Sequence, residues 1–196
     1  MLREIEVSAQ KAAQLTQRLL DYAGKTRQVV TPVDLAAATR RAIEQRGSDP
    51  RIRFESKPAD DMDEIRVLAD PQQLERAIAC LLRNALEASS ERGTVTISIR
   101  HCRVDADRAA ICALGSDLEP GRYGIVEVTD TGEGMDEETQ ERIFDPFFST
   151  KFQGRGLELA AVSGITKASG GGIALESSPG SGTRIALLFP MADTDN

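Results

Sequence analysis

Between Val128 and Gly164, two glycine-rich motifs flank a loop that carries aromatic residues. An apolar strand is predicted to end at Asp130, and a carboxylate there could accept hydrogen bonds from the amino group of an adenine-type base. A second glycine-rich turn opens a helix. Glycines at such a position suit phosphates, because unpaired N–H groups and the positive end of the helix dipole lie there. The stretch therefore predicts an ATP site.

The composition excludes several other classes of function. With 196 residues, of which 40% are hydrophobic and 28% charged, the chain fits one globular domain with a small appendage. A net charge of −7 gives no reason to expect a nucleic-acid partner. No apolar run approaches the roughly 18 residues that cross a bilayer, and no signal peptide follows Met1. The three cysteines, Cys80, Cys102 and Cys112, lack metal-ligand spacing, which favours a reduced, cytoplasmic chain. We expect no membrane contact by this chain, although a parent protein could carry a membrane anchor elsewhere.

Residues 2–27 are predicted to form one amphipathic helix. Its apolar positions alternate in steps of three and four, as in a coiled coil of about three heptads. They are Ile5, Ala9, Ala12, Leu15 or Thr16, Leu19 and Tyr22. A helix of this kind needs a partner to bury its stripe, so it predicts an oligomerisation helix or half of a helical hairpin. The alternative is a helix that packs on its own domain.

Cap and turn signals divide the rest of the chain into alternating elements. Asp34 caps a helix from Leu35 to about Arg46, and Asp70 followed by Pro71 starts a helix that runs to about Ser90. Further predicted elements are strands at 29–33, 52–54, 65–69, 95–99 (with His101 at its end), 123–129, 173–175 and 183–189, a short helix after the first glycine turn, and a helix over 157–169. Residues 103–121 are predicted to be an irregular connection. The pattern predicts an α+β two-layer sandwich, with about three helices on one face of a mixed, mostly antiparallel sheet.

Asn84 interrupts the apolar face of the helix that begins after Asp70. Asn is a mediocre helix former, because its side chain competes for backbone hydrogen bonds. Beside a buried face it is either a hydrogen-bonding core residue or an oxygen ligand for a hard cation. The sequence leaves both interpretations open.

Four motifs and a final glycine turn, in this order, resemble the ATP-binding catalytic domain of sensor histidine kinases, in the superfamily of gyrase, the large heat-shock chaperone and MutL. The motifs are Leu81-Leu82-Arg83-Asn84-Ala85-Leu86-Glu87-Ala88 (N box), Asp130-Thr131-Gly132-Glu133-Gly134-Met135 (G1 box), Phe144-Asp145-Pro146-Phe147-Phe148 (F box), Gly154 to Ala161 (G2 box) and Gly180-Ser181-Gly182-Thr183. The resemblance implies a catalytic domain over residues 29–190, followed by a tail at 191–196. Residues 1–28 are similar to the second helix of the family's dimerisation and phosphoacceptor hairpin, which implies a homodimer.

The resemblance also implies a role for each motif residue. Asp130 would bind the adenine amino group, with Thr183 nearby through an ordered water. Asn84 would ligate Mg²⁺, which prefers oxygen ligands and keeps several waters. Lys151 would reach the phosphates as a mobile point charge. The implied nucleotide-binding residues are Asp130, Gly132, Gly134, Met135, Phe147, Phe148, Thr150, Gly154, Gly156, Leu157 and Thr183, with Asn84 as metal ligand and Asn84 and Lys151 as catalytic residues.

Glycine and phenylalanine would shape this site. Gly132 and Gly134 would let the backbone pass the base without a clash at Cβ, and Gly154 and Gly156 would let a lid close over the triphosphate. The three F-box aromatics, Phe144, Phe147 and Phe148, would anchor that lid in an apolar groove. Plain core filling is the other interpretation of these rings.

The implied reaction is transfer of the γ-phosphoryl group of ATP to a histidine imidazole, and then to an aspartate of a response-regulator receiver domain. Catalysis would consist of positioning and charge neutralisation. The first hairpin helix, which carries the acceptor histidine in the family, is not expected in this chain, and His101 lies in the wrong domain. The acceptor is therefore expected outside the chain.

Two residues depart from the family pattern. Cys80 stands where the N box has Asn or, in the chaperone and gyrase branches, a Glu that acts as base. Glu158 replaces the last glycine of Gly-x-Gly-Leu-Gly and places a carboxylate where phosphate should lie. Like charges repel, so we hypothesise that Glu158 lowers ATP affinity unless Arg155 or Lys151 neutralises it.

Three hypotheses about function follow from these residues. The first is an ATP-dependent histidine kinase module. The second is a degenerate, weakly nucleotide-binding scaffold or phosphotransfer partner that binds a receiver domain. The third is an ATP-hydrolysing clamp, which Cys80 disfavours because it replaces the carboxylate that such a clamp needs.

Overall fold

A computed structural model describes residues 29–47, 49–56, 64–90, 93–105, 118–150 and 156–192. The predicted N-terminal helix, residues 193–196 of the predicted tail at 191–196, Lys151 and Gly154 lie outside the described residues. Within these ranges no helix combines the length and the apolar character that a membrane crossing requires.

Four helices and seven strands make up the described part of the chain. In order they are β1 (Thr31–Asp34), α1 (Leu35–Arg46), β2 (Ile52–Ser56), β3 (Arg66–Ala69), α2 (Pro71–Ala88), β4 (Val95–Val104), β5 (Gly121–Asp130), α3 (Glu137–Arg142), α4 (Glu158–Ala168), β6 (Gly172–Ser177) and β7 (Thr183–Pro190).

The two predicted aspartate caps begin α1 and α2. Asp34 accepts hydrogen bonds from the backbone N–H groups of Ala36 at 2.8 Å and Ala37 at 3.2 Å. Asp70 accepts from Gln72 at 3.0 Å and Gln73 at 3.1 Å, and Pro71 occupies the first turn. Each cap satisfies N–H groups that a helix cannot pair internally, which fixes where the helix starts.

The main sheet has five strands in the order β2-β4-β5-β7-β6. The β2–β4 pair is parallel and the other pairs are antiparallel, so the predicted mixed α+β architecture is confirmed. The predicted strand near Val29 begins later, at Thr31, and among the described strands it pairs with β3 in a separate two-stranded sheet. A bridge between Val67 and Met191 joins this small sheet to the end of β7.

The β4–β5 hairpin is longer than the sequence predicted. Its ladder continues through His101 opposite Gly124 to Val104 opposite Gly121. His101 is therefore inside β4 rather than at its end, and residues 103, 104 and 121 belong to strands rather than to an irregular connection. The sequence concealed this because His101 and Arg103 fall at the positions where the apolar alternation of Val95, Ile97 and Ile99 would continue.

One face of the main sheet carries the larger of two core clusters and also presents the site residues. Strand side chains alternate, so Val126, Val128 and Asp130 of β5 point to the same face. Val126 and Val128 pack in one cluster with the apolar stripe of α2, and buried Asp130 lies at the end of this row. The α2 side chains buried there are Leu74, Ala77, Ile78, Cys80, Leu81, Leu82, Ala85 and Leu86.

Candidate functional site

A cavity of about 700 Å³ lies where β5, β7, α2 and the start of α4 meet. The α2 wall includes Leu81, Asn84, Ala85 and Ala88, whose spacing of three and four places them on one helix face, together with Glu87. Val128 and Asp130 come from β5, and Thr183 and Ile185 come from β7. A cavity of this size that combines apolar wall residues with converging polar side chains is typical of a small-molecule site.

Asp130 is the buried acid at one end of the cavity. Only 6% of the residue is exposed, and its Oδ1 accepts the backbone N–H of Gly132 at 2.8 Å. The strand register pairs Asp130 directly with Thr183. The structure therefore brings the predicted base-binding pair, Asp130 and Thr183, together at one end of the cavity.

Ser177, which the sequence analysis missed, connects the two turns beside Asp130. Its Oγ donates to the carbonyl of Gly182 at 2.9 Å and accepts the N–H of Met135 at 2.9 Å. It also lies 3.0 Å from Thr183 Oγ1. Gln140 donates to the carbonyls of both Met135 and Ser177. The sequence could have indicated Ser177, because a hairpin turn at 178–182 places Ser177 opposite the predicted site residue Thr183 in the β6–β7 ladder.

The glycines of the G1 box make room for protein backbone. At Gly134, with φ of 67°, a Cβ would lie 1.9 Å from the carbonyl oxygen of Ser178. At Gly132 a Cβ would lie 2.5 Å from the carbonyl oxygen of Ala88. The sequence analysis expected these glycines to spare a bound base, whereas the close neighbours are the β6–β7 turn and the end of α2. The glycines thus pack the rim of the cavity together.

The three F-box phenylalanines have three different environments. Phe144 packs partly buried against the main core. Phe148 lines the cavity, and the guanidinium carbon of Arg142 lies 4.4 Å from its ring centroid. Phe147 is 70% exposed, which contradicts the prediction that it lies in an apolar groove. Its backbone adopts a φ of 69° and its N–H bonds the carbonyl of Gly156 at 2.8 Å, a turn that leaves the ring in solvent.

The other end of the cavity holds an ion pair whose cation, Arg83, the sequence analysis did not name as a counter-ion. Glu158, the first residue of α4, lines the cavity, and its Oε2 lies 2.6 Å from Nη2 of Arg83 on α2. Arg155 and Lys151, the predicted counter-ions, lie outside the described residues. Burial alone would lower the pKa of Arg83, but the Glu158 carboxylate and the Cys80 thiol hold that pKa above its ordinary value.

Asn84 is half-buried in the cavity wall and points its amide nitrogen at Cys80. Asn84 Nδ2 donates to Cys80 Sγ at 3.9 Å, one helical turn away. Cys80 is 7% exposed, so the departure from the family pattern sits in the core beside the cavity. Among the described residues there is no group of three or more His, Cys, Asp or Glu side chains that could hold a metal ion. The sequence left Asn84 open between core residue and ligand, and its position on the cavity wall is compatible with either role.

Most of the predicted site residues meet around this one cavity. Those that line it are Asn84, Asp130, Gly134, Met135, Phe148, Thr150, Gly156 and Thr183. Gly132, Phe147 and Leu157 are described but are not among the lining residues. Leu157 is instead 2% exposed and packs inside the protein, and its carbonyl accepts the N–H of Ala161 at 3.0 Å.

Curated relatives of the chain are sensor kinases. It is similar to sensor histidine kinase ZraS of Klebsiella oxytoca, with 35% identity over 126 residues, which cover 64% of this chain and 24% of that protein. It is also similar to sensor kinase CckA of Brucella abortus, with 33% identity over 197 residues, which cover 96% of this chain and 20% of that protein. The chain thus spans about a quarter or less of the length of these two relatives.

Solved structures share the fold. The mycobacterial sensor histidine kinase MprB superimposes with a TM-score of 0.64 at 25% identity, covering 85% of this chain and 100% of that one. The catalytic domain of histidine kinase ThkA does so with a TM-score of 0.62 at 26% identity, covering 83% of this chain and 96% of that one.

The family model described as histidine kinase-, DNA gyrase B-, and HSP90-like ATPase matches residues 69–193. This range runs from the end of β3 through β7 and includes every described residue that lines the cavity. The chain therefore belongs to this ATPase family, as a catalytic ATP-binding domain of the sensor histidine kinase type.

Proposed function

We propose that this chain transfers the γ-phosphoryl group of Mg-ATP to a histidine located outside the chain, for onward transfer to a response-regulator aspartate. The observation that carries the proposal is the cavity that brings Asp130, Thr183 and Asn84 together within the matched family range. Its relatives are sensor kinases, and a full-length ShkA structure of the same fold, 23% identical to this chain, is described as a complex with AMPPNP.

The residues present fit an adenine nucleotide. Asp130 is a buried acceptor at the cavity's end, and one of its oxygens is already positioned by Gly132. The close-packed turns at Gly134 and Gly182 hold this end rigid, since a Cβ at Gly182 would lie 2.0 Å from the carbonyl oxygen of Asp130. A pre-organised acceptor of this kind selects a base with an exocyclic amino group at the corresponding position.

Asn84 is the residue we assign to Mg²⁺. Its amide nitrogen is engaged with Cys80, which leaves the carbonyl oxygen as the side-chain atom for a hard cation. One protein oxygen can suffice, because Mg²⁺ keeps waters and shares the phosphates of its nucleotide. When bound, Mg²⁺ would supply neutralisation of phosphate charge, and the chain's own task would be to orient the nucleotide.

We also propose a homodimer through residues 1–28 and a receiver domain as partner, because the relatives are sensor kinases. Lys151 remains our candidate for the phosphate-contacting cation, and Gly154 for lid closure.

Phosphotransfer to a separate acceptor tests the kinase function. The chain is mixed with γ-³²P-labelled ATP, Mg²⁺ and the phosphoacceptor hairpin of a sensor kinase relative, and the label on the hairpin is followed. We expect an acid-labile, alkali-stable phosphohistidine that disappears with EDTA and falls by at least about tenfold in Asn84→Ala. Glu141→Gln, an exposed change on α3, is the control and should leave the rate unchanged.

One observation favours the second candidate, a weakly nucleotide-binding scaffold for a receiver domain. The described residues that line the cavity include five carboxylate residues and no Lys, Arg or His. Nucleotide binding without any label on the hairpin, together with capture of a receiver domain, would support the scaffold and contradict the kinase.

A further inference from the structure

The charges around the cavity are unevenly distributed. Its described lining includes the acidic side chains of Glu87, Asp130, Glu133, Asp136 and Glu158, and no basic side chain. Asp130 belongs to the proposed base-binding end, whereas Glu158 belongs to α4. A ligand that extends from Asp130 toward α4 would therefore approach a carboxylate.

Glu158 faces the cavity while its counter-ion stands outside it. The Glu158 side chain is 11% exposed and lines the cavity, whereas the Arg83 side chain is 37% exposed and is not among the described lining residues. The contact of 2.6 Å between Arg83 Nη2 and Glu158 Oε2 fixes this arrangement. Coulomb interactions weaken with distance, so a ligand in the cavity interacts more strongly with the nearer carboxylate than with the guanidinium behind it.

The N-terminus of α4 cannot compensate for this carboxylate. The positive end of a helix dipole favours an anion, and Glu158 in the first turn already fills that position. Leu157 before it supplies no side-chain cap. A phosphate placed here would meet a like charge that the contact with Arg83 holds in place.

We propose that Glu158, positioned by Arg83, makes this cavity discriminate against long phosphate tails, so that it binds adenosine and ADP more tightly than ATP. The inference rests on the proposed adenine-nucleotide function and names the charge preference of the same site. Each additional phosphate adds negative charge, and its repulsion by Glu158 grows accordingly. ATP would then bind productively only at concentrations that overcome competition from ADP.

Calorimetric titration of three ligands tests the charge preference. Adenosine, ADP and ATP are titrated in excess Mg²⁺ into the wild-type chain, Glu158→Gln and the control Glu141→Gln. Glutamine keeps the shape of Glu158 and a hydrogen-bond acceptor for Arg83, so Glu158→Gln retains the fold. We expect it to raise ATP affinity about tenfold and ADP affinity less, with adenosine unchanged within about twofold. Glu141→Gln removes the same charge outside the cavity and should change none of the three.

A charge-swapped chain sharpens the comparison. Arg83→Glu combined with Glu158→Arg keeps an ion pair but places the cation on the cavity wall. We expect this double variant to bind ATP more tightly than adenosine, which inverts the wild-type order. An unchanged ratio of ATP to adenosine affinity in Glu158→Gln would overturn the inference while leaving an adenine site intact. Failure of adenosine, ADP and ATP alike to bind the wild-type chain would instead overturn the proposed function together with it.

Discussion

The acidic side chains at the two ends of the cavity are positioned by different neighbours. Asp130 is held by the N–H of Gly132, two residues away, within a local turn. Glu158 is held by Arg83, which lies on another helix. The first arrangement is predictable from a short motif, because the glycine turn follows the aspartate directly. The position of Glu158 is not predictable in this way, because its contact with Arg83 depends on how α2 packs against the start of α4. No short sequence motif indicates how two helices pack.

The Arg83–Glu158 pair should contribute to stability as well as to ligand preference. Arg83→Met removes a cation that contacts a mostly buried carboxylate, and we expect it to lower the free energy of unfolding by about 1–2 kcal/mol. This loss of stability is smaller than the loss expected for a fully buried ion pair, because the Arg83 side chain is 37% exposed and solvent screens the interaction. Urea unfolding of Arg83→Met, Glu158→Gln and the double variant gives the coupling energy, expected to be about 1 kcal/mol.

An exposed pair on the small sheet provides the comparison. Arg66 contacts Glu64 at 3.0 Å with 53% and 43% of their side chains exposed. We expect Arg66→Met to leave the free energy of unfolding unchanged. A coupling energy near zero for Arg83 and Glu158 would show that the pair does not hold the carboxylate in place.

At the scale of elements, the turns rather than the helices give the cavity its rim. Helix starts follow from the caps at Asp34 and Asp70, which the sequence displays plainly. The role of the turns was harder to predict, because a glycine signals an unusual backbone but not the atom that approaches it. At Gly134 that atom is the carbonyl oxygen of Ser178, on a hairpin far along the chain. The length of the β4–β5 hairpin was also not predicted, because it depends on pairing between two strands rather than on the apolar alternation within one strand.

A pair of glycine substitutions separates close approach from backbone preference. Gly134 and Gly180 both have positive φ, of 67° and 78°, but a Cβ at Gly180 would meet nothing within 4 Å. We expect Gly180→Ala to cost about 1 kcal/mol of unfolding free energy, for the backbone alone. Gly134→Ala should cost at least about 2 kcal/mol more, because the Ser178 carbonyl must move. Thermal unfolding of both variants measures the difference, and equal costs would contradict the close packing of these turns.

At the scale of the whole molecule, the cavity is built from the same elements as the core. Val126 and Val128 pack with α2 in the main cluster, and Asp130 continues their row into the cavity. The order of N, G1, F and G2 boxes was sufficient to predict the fold and the family, because each motif ends or begins an element that borders one site. The sequence could not supply which charged side chains face the cavity, such as Glu158, and which stand outside it, such as Arg83. The proposed ligand preference depends on that arrangement.

The central claim is that Asp130 makes this cavity specific for an adenine base. Calorimetric titration of ADP and GDP, in Mg²⁺, into the wild-type chain and Asp130→Asn tests it most directly. Asparagine can still accept the Gly132 N–H, but it would present an amide donor to the base. We predict that the wild-type chain binds ADP and rejects GDP, and that Asp130→Asn loses about 100-fold in ADP affinity. Equal affinities for ADP and GDP in the wild-type chain, or undiminished ADP binding by Asp130→Asn, would contradict the account.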